Sequence, residues 1–255
     1  PRWDQVQRRD QQAAPGGLIE VLVSIFNGFG SLLQGDYLHS FLAGAGVTLQ
    51  LFFISAILAF ILACLLMGIR LIPGRVGDFV VALFVEYHRN VPSLVQLFVW
   101  YFGVPQLLPI AAQDWVNAQG GEIIFAIIAL TLNSAAYVSE DLRSGFRSLP
   151  NGQTEAARAL GINYVQTLRK VLIPQAVRAS APSLVNQALG LFKTTALAMA
   201  IGTAEMMYIT RQIEGETYMT FQTFAVASLF YLIGSWTIMI AGAAWQRRIE
   251  LRMAR

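Results

Sequence analysis

A long apolar run constrains this chain more than any other feature of its sequence. The run extends from Phe41 to Ile69 without a charged residue. A helix needs about 20 apolar residues to cross the hydrocarbon core of a bilayer, where the backbone must satisfy its own hydrogen bonds. Four further apolar runs follow, so the sequence predicts an all-α membrane protein with about five spanning helices. The predicted spans are residues 41–69, 79–103, 123–143, 180–204 and 218–244.

The composition agrees with this fold class. Hydrophobic residues make up 55% of the chain and charged residues 13%, whereas soluble domains carry about 25% charged residues. The formal net charge is +3, but the cations lie beside apolar runs, which favours an orientation signal over a nucleic-acid partner. Residues 18–33 are apolar but short and contain Glu20. We therefore expect an interfacial helix within an extracytoplasmic or interfacial segment, residues 1–40, rather than a sixth span.

Basic residues predict the orientation, because they gather in cytoplasmic loops. They cluster between the first two spans, between the third and fourth, and after the fifth, whereas residues 104–122 contain no Lys or Arg. The C-terminus and the 144–179 loop are therefore expected in the cytoplasm, and the N-terminus outside. Arg2, Arg8 and Arg9 run against this assignment.

The polar 144–179 loop carries helix signals of its own. Asn151 is a candidate N-cap, and Gly161 stands where a helix end needs a left-handed residue. Asn163, with Gln166 three residues later, resembles a capping box. Pro174 is expected to end or kink the second helix. The pattern predicts two short helices at the membrane surface, serving either to contact lipid headgroups or to dock a partner.

The spacing of this loop resembles a known motif. Glu155-Ala156-Ala157, Gly161 and Val171-Leu172-Ile173-Pro174 resemble the EAA motif of permeases from binding-protein-dependent ABC importers, with Val171 and Ile173 as conservative departures. The resemblance implies the fold of a type I ABC importer transmembrane domain over residues 41–255. It also implies that the 144–179 loop couples the permease to a cytoplasmic ATPase. The implied coupling residues are Glu155, Ala156, Ala157, Gly161 and Pro174.

A second motif narrows the resemblance. Glu86, Arg89, Pro92 and Gln96 match the E-x-x-R-x-x-P-x-x-x-Q pattern of permeases for polar amino acids, and residues 88–109 are most similar to glutamate/aspartate importers. The resemblance implies a polar, acidic substrate. The implied partners are an ATPase dimer that binds ATP and Mg, a second identical or related permease, a periplasmic solute-binding protein and the lipid of a bacterial inner membrane.

Several polar side chains within predicted spans are candidates for the substrate path, because ionisable groups at membrane depth are costly. Glu86 and Arg89 can pair at i and i+3, or Arg89 and Gln96 can meet a substrate carboxylate. Lys193 faces a cavity or pairs with an acid such as Glu140. Asn133 and Tyr137 either bond neighbouring helices or contact a zwitterion. The candidates for the path are Glu86, Arg89, Gln96, Asn133, Tyr137, Glu140 and Lys193.

Motifs for catalysis are missing from the sequence. It contains no G-x-x-x-x-G-K-[ST] and no G-x-S-x-G, and its two histidines and one cysteine cannot form a closed metal site. We therefore expect no enzyme activity, metal or bound cofactor in this chain. An ion-gradient-driven transporter and a membrane scaffold are the alternatives, although no inverted repeat is evident and a scaffold would not need the EAA spacing.

Overall fold

The computed structural model describes residues 26–72, 74–150 and 152–251, and within these ranges the chain is helical with short connections. Residues 26–32 form a short helical segment. The α-helices that follow are numbered α1 to α10 in chain order. They are α1 (Gly35–Leu71), α2 (Arg75–Asn90), α3 (Ser93–Phe98), α4 (Ile110–Ala118), α5 (Gly121–Arg147), α6 (Gly152–Ala159), α7 (Tyr164–Thr167), α8 (Ile173–Thr194), α9 (Met206–Thr217) and α10 (Thr220–Leu251).

Four stretches of the described chain are long and apolar enough to cross a membrane. They are Gly35–Leu71, Gly121–Arg147, Tyr164–Ile201 and Thr220–Ile249. The predicted all-α, multi-span fold class is confirmed.

The predicted span 79–103 departs from expectation, because it is not one helix. Helix α2 ends at Asn90, and α3 begins at Ser93. Val91 between them is extended, with φ −90° and ψ 131°, as favoured for a residue that precedes proline. Pro92 therefore breaks the helix, and α3 continues through a π-helical turn, Val99–Gly103.

Helix α5 lies at the centre of the bundle, where it packs against α1 on one side and α8 on another. Its buried face is rich in small residues, including Ala126, Ala129, Ala135 and Ala136. Small side chains let neighbouring helices approach closely in a membrane. At Gly145, a Cβ would lie 2.5 Å from the carbonyl oxygen of Ala176 in α8. This glycine therefore permits the close contact of α5 with α8.

Glu205 joins three helices away from the centre. It is fully buried and caps α9, accepting hydrogen bonds from the backbone N–H groups of Met207 and Tyr208, both at 2.9 Å. Its carboxylate also accepts from the hydroxyls of Tyr231 in α10 at 3.0 Å and Thr48 in α1 at 3.4 Å. A buried carboxylate needs such donors to offset its desolvation. Glu205 thus holds α1, α9 and α10 together.

The bundle has two ends. We call the end that carries residues 148–163 the loop end, and the other the opposite end. At the loop end, Arg70 of α1 bonds the carboxylate of Glu140 in α5 and lies 3.5 Å from Asp78 of α2. Arg143 of α5 lies 3.6 Å from the same Glu140. This cluster of ion pairs fastens α1 and α2 to α5 beside the loop.

Candidate functional site

The loop at residues 148–163 contains the first group of predicted site residues. Helix α6 ends in a Schellman motif, in which the N–H of Ile162 bonds the carbonyl of Ala157 at 3.0 Å and the N–H of Gly161 bonds that of Arg158 at 2.9 Å. Gly161 has φ +73°, so its predicted left-handed conformation is confirmed. The predicted N-cap Asn151 lies outside the described residues.

The second predicted helix of the loop begins where the sequence indicates. The side chain of Asn163 accepts a hydrogen bond from the backbone N–H of Gln166 at 2.9 Å, which confirms its predicted role as an N-cap. Thr167 is buried, and its hydroxyl bonds the carbonyl of Asn163 at 3.0 Å. The Schellman motif at the end of α6 and the Asn163 N-cap at the start of α7 therefore fix the chain on both sides of Gly161.

Pro174 does not end this helix, which was one of the two predicted outcomes. Helix α7 passes through a π-helical turn, Leu168–Leu172, directly into α8, and the N–H of Ile173 bonds the carbonyl of Leu168, five residues back. A five-residue turn widens the helix, which relieves the clash between a proline ring and the carbonyl four residues earlier. Pro174 then stands in the first turn of α8, where its missing N–H is tolerated.

The polar loop is consequently shorter than the predicted 144–179. Helix α5 extends to Arg147, and the helix that begins at Tyr164 runs unbroken to Ile201. Helix propensity and the packing of α5 against α8 extend both spanning helices into the polar sequence. The second helix of the loop is therefore the first turn of a membrane-spanning rod.

The predicted coupling residues differ in how far their side chains are exposed to solvent. Glu155 and Ala156 lie on the exposed face of α6, and Gly161 is exposed in the turn, whereas Ala157 is buried within the chain. Pro174 is half-buried at the start of α8.

The sequence analysis missed three exposed apolar side chains in the loop. Leu160 is 78% exposed, Val165 68% and Tyr164 52%. The sequence could have indicated them, because they are apolar residues that flank Gly161 and Asn163 in an otherwise polar segment. We call Leu160, Tyr164 and Val165 the loop patch.

The second group of predicted residues surrounds the break between α2 and α3. Gln96 is 1% exposed, and its side-chain amide donates to the carbonyls of His88 at 2.9 Å and Val91 at 2.7 Å. Asn133 of α5 donates to the same His88 carbonyl at 3.0 Å. These carbonyls have lost helical partners at Pro92, and an unpaired buried carbonyl is costly. Gln96 and Asn133 therefore stabilise the break.

Arg89 and Tyr137 lie together at the same break. The phenol of Tyr137 donates to the carbonyl of Arg89 at 3.3 Å, and the Arg89 guanidinium lies 5.5 Å from the centre of the Tyr137 ring. This is the geometry of a cation–π contact. The Arg89 side chain is exposed on the surface of the chain.

Two expected ion pairs do not form in the structure. The Glu86 carboxylate accepts from the side-chain amide of Asn90 at 2.7 Å instead of pairing with Arg89. Glu140 is occupied by Arg70 and Arg143, so it does not pair with Lys193. Lys193 is exposed on α8, and no carboxylate of the described chain pairs with it. The structure thus unites Arg89, Gln96, Asn133 and Tyr137 at the break, and Lys193 makes no hydrogen bond or ion pair with these four residues.

Comparison with known protein families gives one extensive match. A family model described as "Binding-protein-dependent transport system inner membrane component" matches residues 56–255. The match includes the loop, the break between α2 and α3, and the whole of α8 to α10.

Individual relatives are similar over most of their length. The arginine transport system permease protein ArtQ of Bacillus subtilis (strain 168) is 33% identical over 82% of this chain and 92% of its own. The glutamate/aspartate import permease protein GltJ of Escherichia coli (strain K12) is 31% identical over 84% of this chain and 89% of its own. A crystal structure of an amino acid ABC transporter with histidines superposes with a TM-score of 0.75 at 27% identity, covering 86% of this chain and 98% of that one.

Proposed function

The chain belongs to the family of binding-protein-dependent transport system inner membrane components, and we infer that it forms half of the path of an ATP-driven importer for polar, acidic amino acids. As an amino-acid ABC importer permease, it is a multi-pass membrane protein. The finer proposal concerns its coupling to a separate ATPase, the charge of its substrate and its place in a bacterial inner membrane, with the loop end in the cytoplasm.

We place the coupling contact at the loop, and the observation that carries it is the loop patch. Leu160, Tyr164 and Val165 remain exposed beside the exposed Glu155 and Ala156. Several exposed apolar side chains close together in the sequence of a polar loop are typical of a protein interface. Ala157 and Gly161 act indirectly, since the first packs α6 against the chain and the second sets the turn.

Motion at this contact reaches the membrane through one helix. The rod that begins at Tyr164 extends to Ile201, and Gln175 of α8 reaches Gln153 of α6 at 3.5 Å. A packed rod transmits displacement as a rigid body. Closure of an ATPase dimer on ATP and Mg would therefore turn this chain against a second permease, identical or related, and open the path toward a periplasmic solute-binding protein.

A substitution in the loop patch tests the coupling contact. We expect Leu160→Ser to reduce copurification of the ATPase and ATP-driven uptake in proteoliposomes by at least tenfold, because the interface would lose its apolar centre. Val76→Ser is the matched control, since Val76 at the start of α2 is also 78% exposed but lies outside the loop. Equal loss in both variants, or none in Leu160→Ser, would contradict the proposal.

The sign of the substrate charge is proposed from the cations. Asp78 and Glu140 are neutralised by Arg70 and Arg143 at the loop end. Arg89 and Lys193 are exposed and join no close ion pair of the described residues, and the Asp141 carboxylate of α5 attracts Arg89 only from a longer distance. Cations at membrane depth need an anionic partner or a polar cavity. A substrate carboxylate meets that need, which favours an acidic amino acid over arginine.

Binding to the solubilised permease–ATPase complex, without the solute-binding protein, tests the substrate class. We expect bound glutamate to exceed bound arginine, and Arg89→Gln or Lys193→Gln to lower glutamate binding about tenfold. Arg211→Gln is the control, because Arg211 forms an exposed pair with Glu214 in α9. Preference for arginine, or unchanged glutamate binding in both test variants, would overturn the assignment.

The alternatives predict a different result from the chain alone. We expect purified chain without an ATPase to support no uptake in proteoliposomes, because we assign ATP hydrolysis to the partner and no catalysis or bound cofactor to this chain. Robust uptake driven by an ion gradient would favour a secondary transporter. No uptake even with the ATPase, the second permease and the binding protein would favour a scaffold.

A further inference from the structure

A cavity at the loop end has no role in the proposed transport cycle. It has a volume of about 360 Å³ and lies between the end of α5, the start of α8 and the end of α10. Its polar lining comes from Gln175, Arg178 and Gln246, and its apolar lining includes Leu149, Pro182 and Ile249. A cavity of this size accommodates a small organic group.

The lining combines a cation without an ion-pair partner among the described residues with side-chain amides that can form further hydrogen bonds. Arg178 is half-buried, and no carboxylate of the described residues pairs with it. Gln175 uses its amide N–H groups on Val171 and Gln153, and its side-chain oxygen accepts no hydrogen bond from the described residues. The Arg178 guanidinium can bind an anion, and the side-chain amides of Gln175 and Gln246 can bond hydroxyl groups. A phosphate ester of a polyol carries both kinds of group.

The position of the cavity distinguishes among anions. Gln246 and Ile249 of α10 line the cavity, and their neighbours Arg247 and Arg248 are exposed at the end of the same helix, as are the apolar side chains of Trp245 and Leu251. Small anions such as free phosphate would gain nothing from Leu149, Pro182 and Ile249. A membrane lipid would place its headgroup against Arg178 and its upper acyl chains against these apolar side chains.

We propose that this cavity binds an anionic phospholipid of the cytoplasmic leaflet, with the phosphate on Arg178 and the headgroup hydroxyls on Gln175 and Gln246. The lipid bridges α8 to α10 next to the coupling loop. The proposal requires the inferred orientation but not the substrate class, so it stands or falls separately from acidic amino-acid transport.

Lipid retention measured by native mass spectrometry tests the site. The chain, with its ATPase, is reconstituted in nanodiscs of phosphatidylcholine with a minor fraction of phosphatidylglycerol and then released into detergent. We expect wild type to retain phosphatidylglycerol, and Arg178→Gln to retain at least fivefold less. Arg178→Lys should retain an intermediate amount, because a lysine keeps the charge but not the bidentate geometry.

A control variant separates this site from general attraction to a basic surface. Arg248→Gln removes one exposed cation from α10 at the same end but leaves the cavity lining intact, and we expect its retention to equal wild type. Equal loss in Arg248→Gln and Arg178→Gln would overturn the site. Displacement of the lipid by millimolar inorganic phosphate would show that phosphate alone is recognised, which would also overturn the proposal.

A second lining variant covers the possibility that Arg178→Gln fails to fold. Gln246→Leu keeps the volume and the charge of the cavity but removes an amide, and we expect it to reduce retention of phosphatidylglycerol more than that of phosphatidic acid, which lacks the headgroup hydroxyls. An equal effect on both lipids, or no effect on either, would count against the assignment of Gln246.

Discussion

Gly161 shows how one residue sets the geometry of the loop. Its φ of +73° places it in the left-handed region, yet a Cβ there would meet nothing within 4 Å. Substitution therefore acts through the backbone and not through a steric clash. For an L-residue the left-handed conformation costs about 1–2 kcal/mol, which is enough to shift the turn between α6 and α7.

We expect Gly161→Val to uncouple ATP hydrolysis from uptake while the chain remains in the membrane, because a β-branched residue disfavours this φ most strongly. Gly161→Asn should retain more coupling, since asparagine tolerates the left-handed region. The ratio of ATP hydrolysed to substrate transported measures the effect. Gly152→Ala is the control within the loop, and full coupling in Gly161→Val would refute the role of the turn.

Local signals explain why the sequence analysis located Gly161 and Asn163 correctly. Both act through their own backbone or a neighbour three residues away, so their preference is visible in a short window. Leu160 carries no such signal, because its exposure depends on how the loop sits against α8. The roles of Gln96 and Asn133 were also left open, since the carbonyls they bond become free only after Pro92 breaks the helix.

At the scale of elements, the break at Pro92 and the π-helical turn before Pro174 each combine a proline with a nearby glutamine. Pro92 separates α2 from α3, and Gln96 bonds the freed carbonyls. Pro174 follows the π-helical turn, and the Gln175 side chain bonds the Val171 carbonyl at 3.0 Å. The sequence placed Pro92 within one predicted span and predicted that Pro174 ends or kinks its helix. The sequence could not show that Pro92 breaks its helix whereas a π-helical turn accommodates Pro174. The pattern of backbone hydrogen bonds decides between these two outcomes.

Deleting Lys170 tests whether the π-helical turn accommodates Pro174. The deletion removes one residue from the wide turn and allows an α-helix, in which the proline ring clashes with the carbonyl four residues earlier at a cost of about 3 kcal/mol. We expect a lower thermal midpoint in detergent for the deletion alone. Adding Pro174→Ala to the deletion should restore it, and a deletion variant as stable as wild type would contradict this account.

At the scale of the whole molecule, the positions of basic residues predict how the bundle lies in the membrane. The loop end carries Arg147, Arg158, Arg169, Lys170 and Arg178, whereas α4 and its connections have no Lys or Arg. Basic residues are retained on the cytoplasmic side. The bundle should therefore present α4 to the outside.

Fusions with alkaline phosphatase, which is active only outside the cytoplasm, test the orientation. We expect activity for a fusion made after Gln119, between α4 and α5, and none for a fusion after Arg255. A green fluorescent protein fused after Arg255 should fluoresce, because it folds in the cytoplasm. The opposite pattern would invert the bundle and would remove both the coupling contact and the lipid site from their assigned sides.

The buried Glu205 has a consequence for synthesis of the chain. Its hydrogen-bond partner Thr48 is 157 residues earlier in the sequence, so at about 5–20 residues per second the hydroxyl emerges roughly 8–30 s before the carboxylate that it will meet. During that interval α1 is already inserted, and the site that will receive Glu205 stays open to lipid or to the insertion machinery. The attachment of α1 through Glu205 therefore forms late in synthesis, and a ribosome that stalls before Glu205 leaves α1 without it.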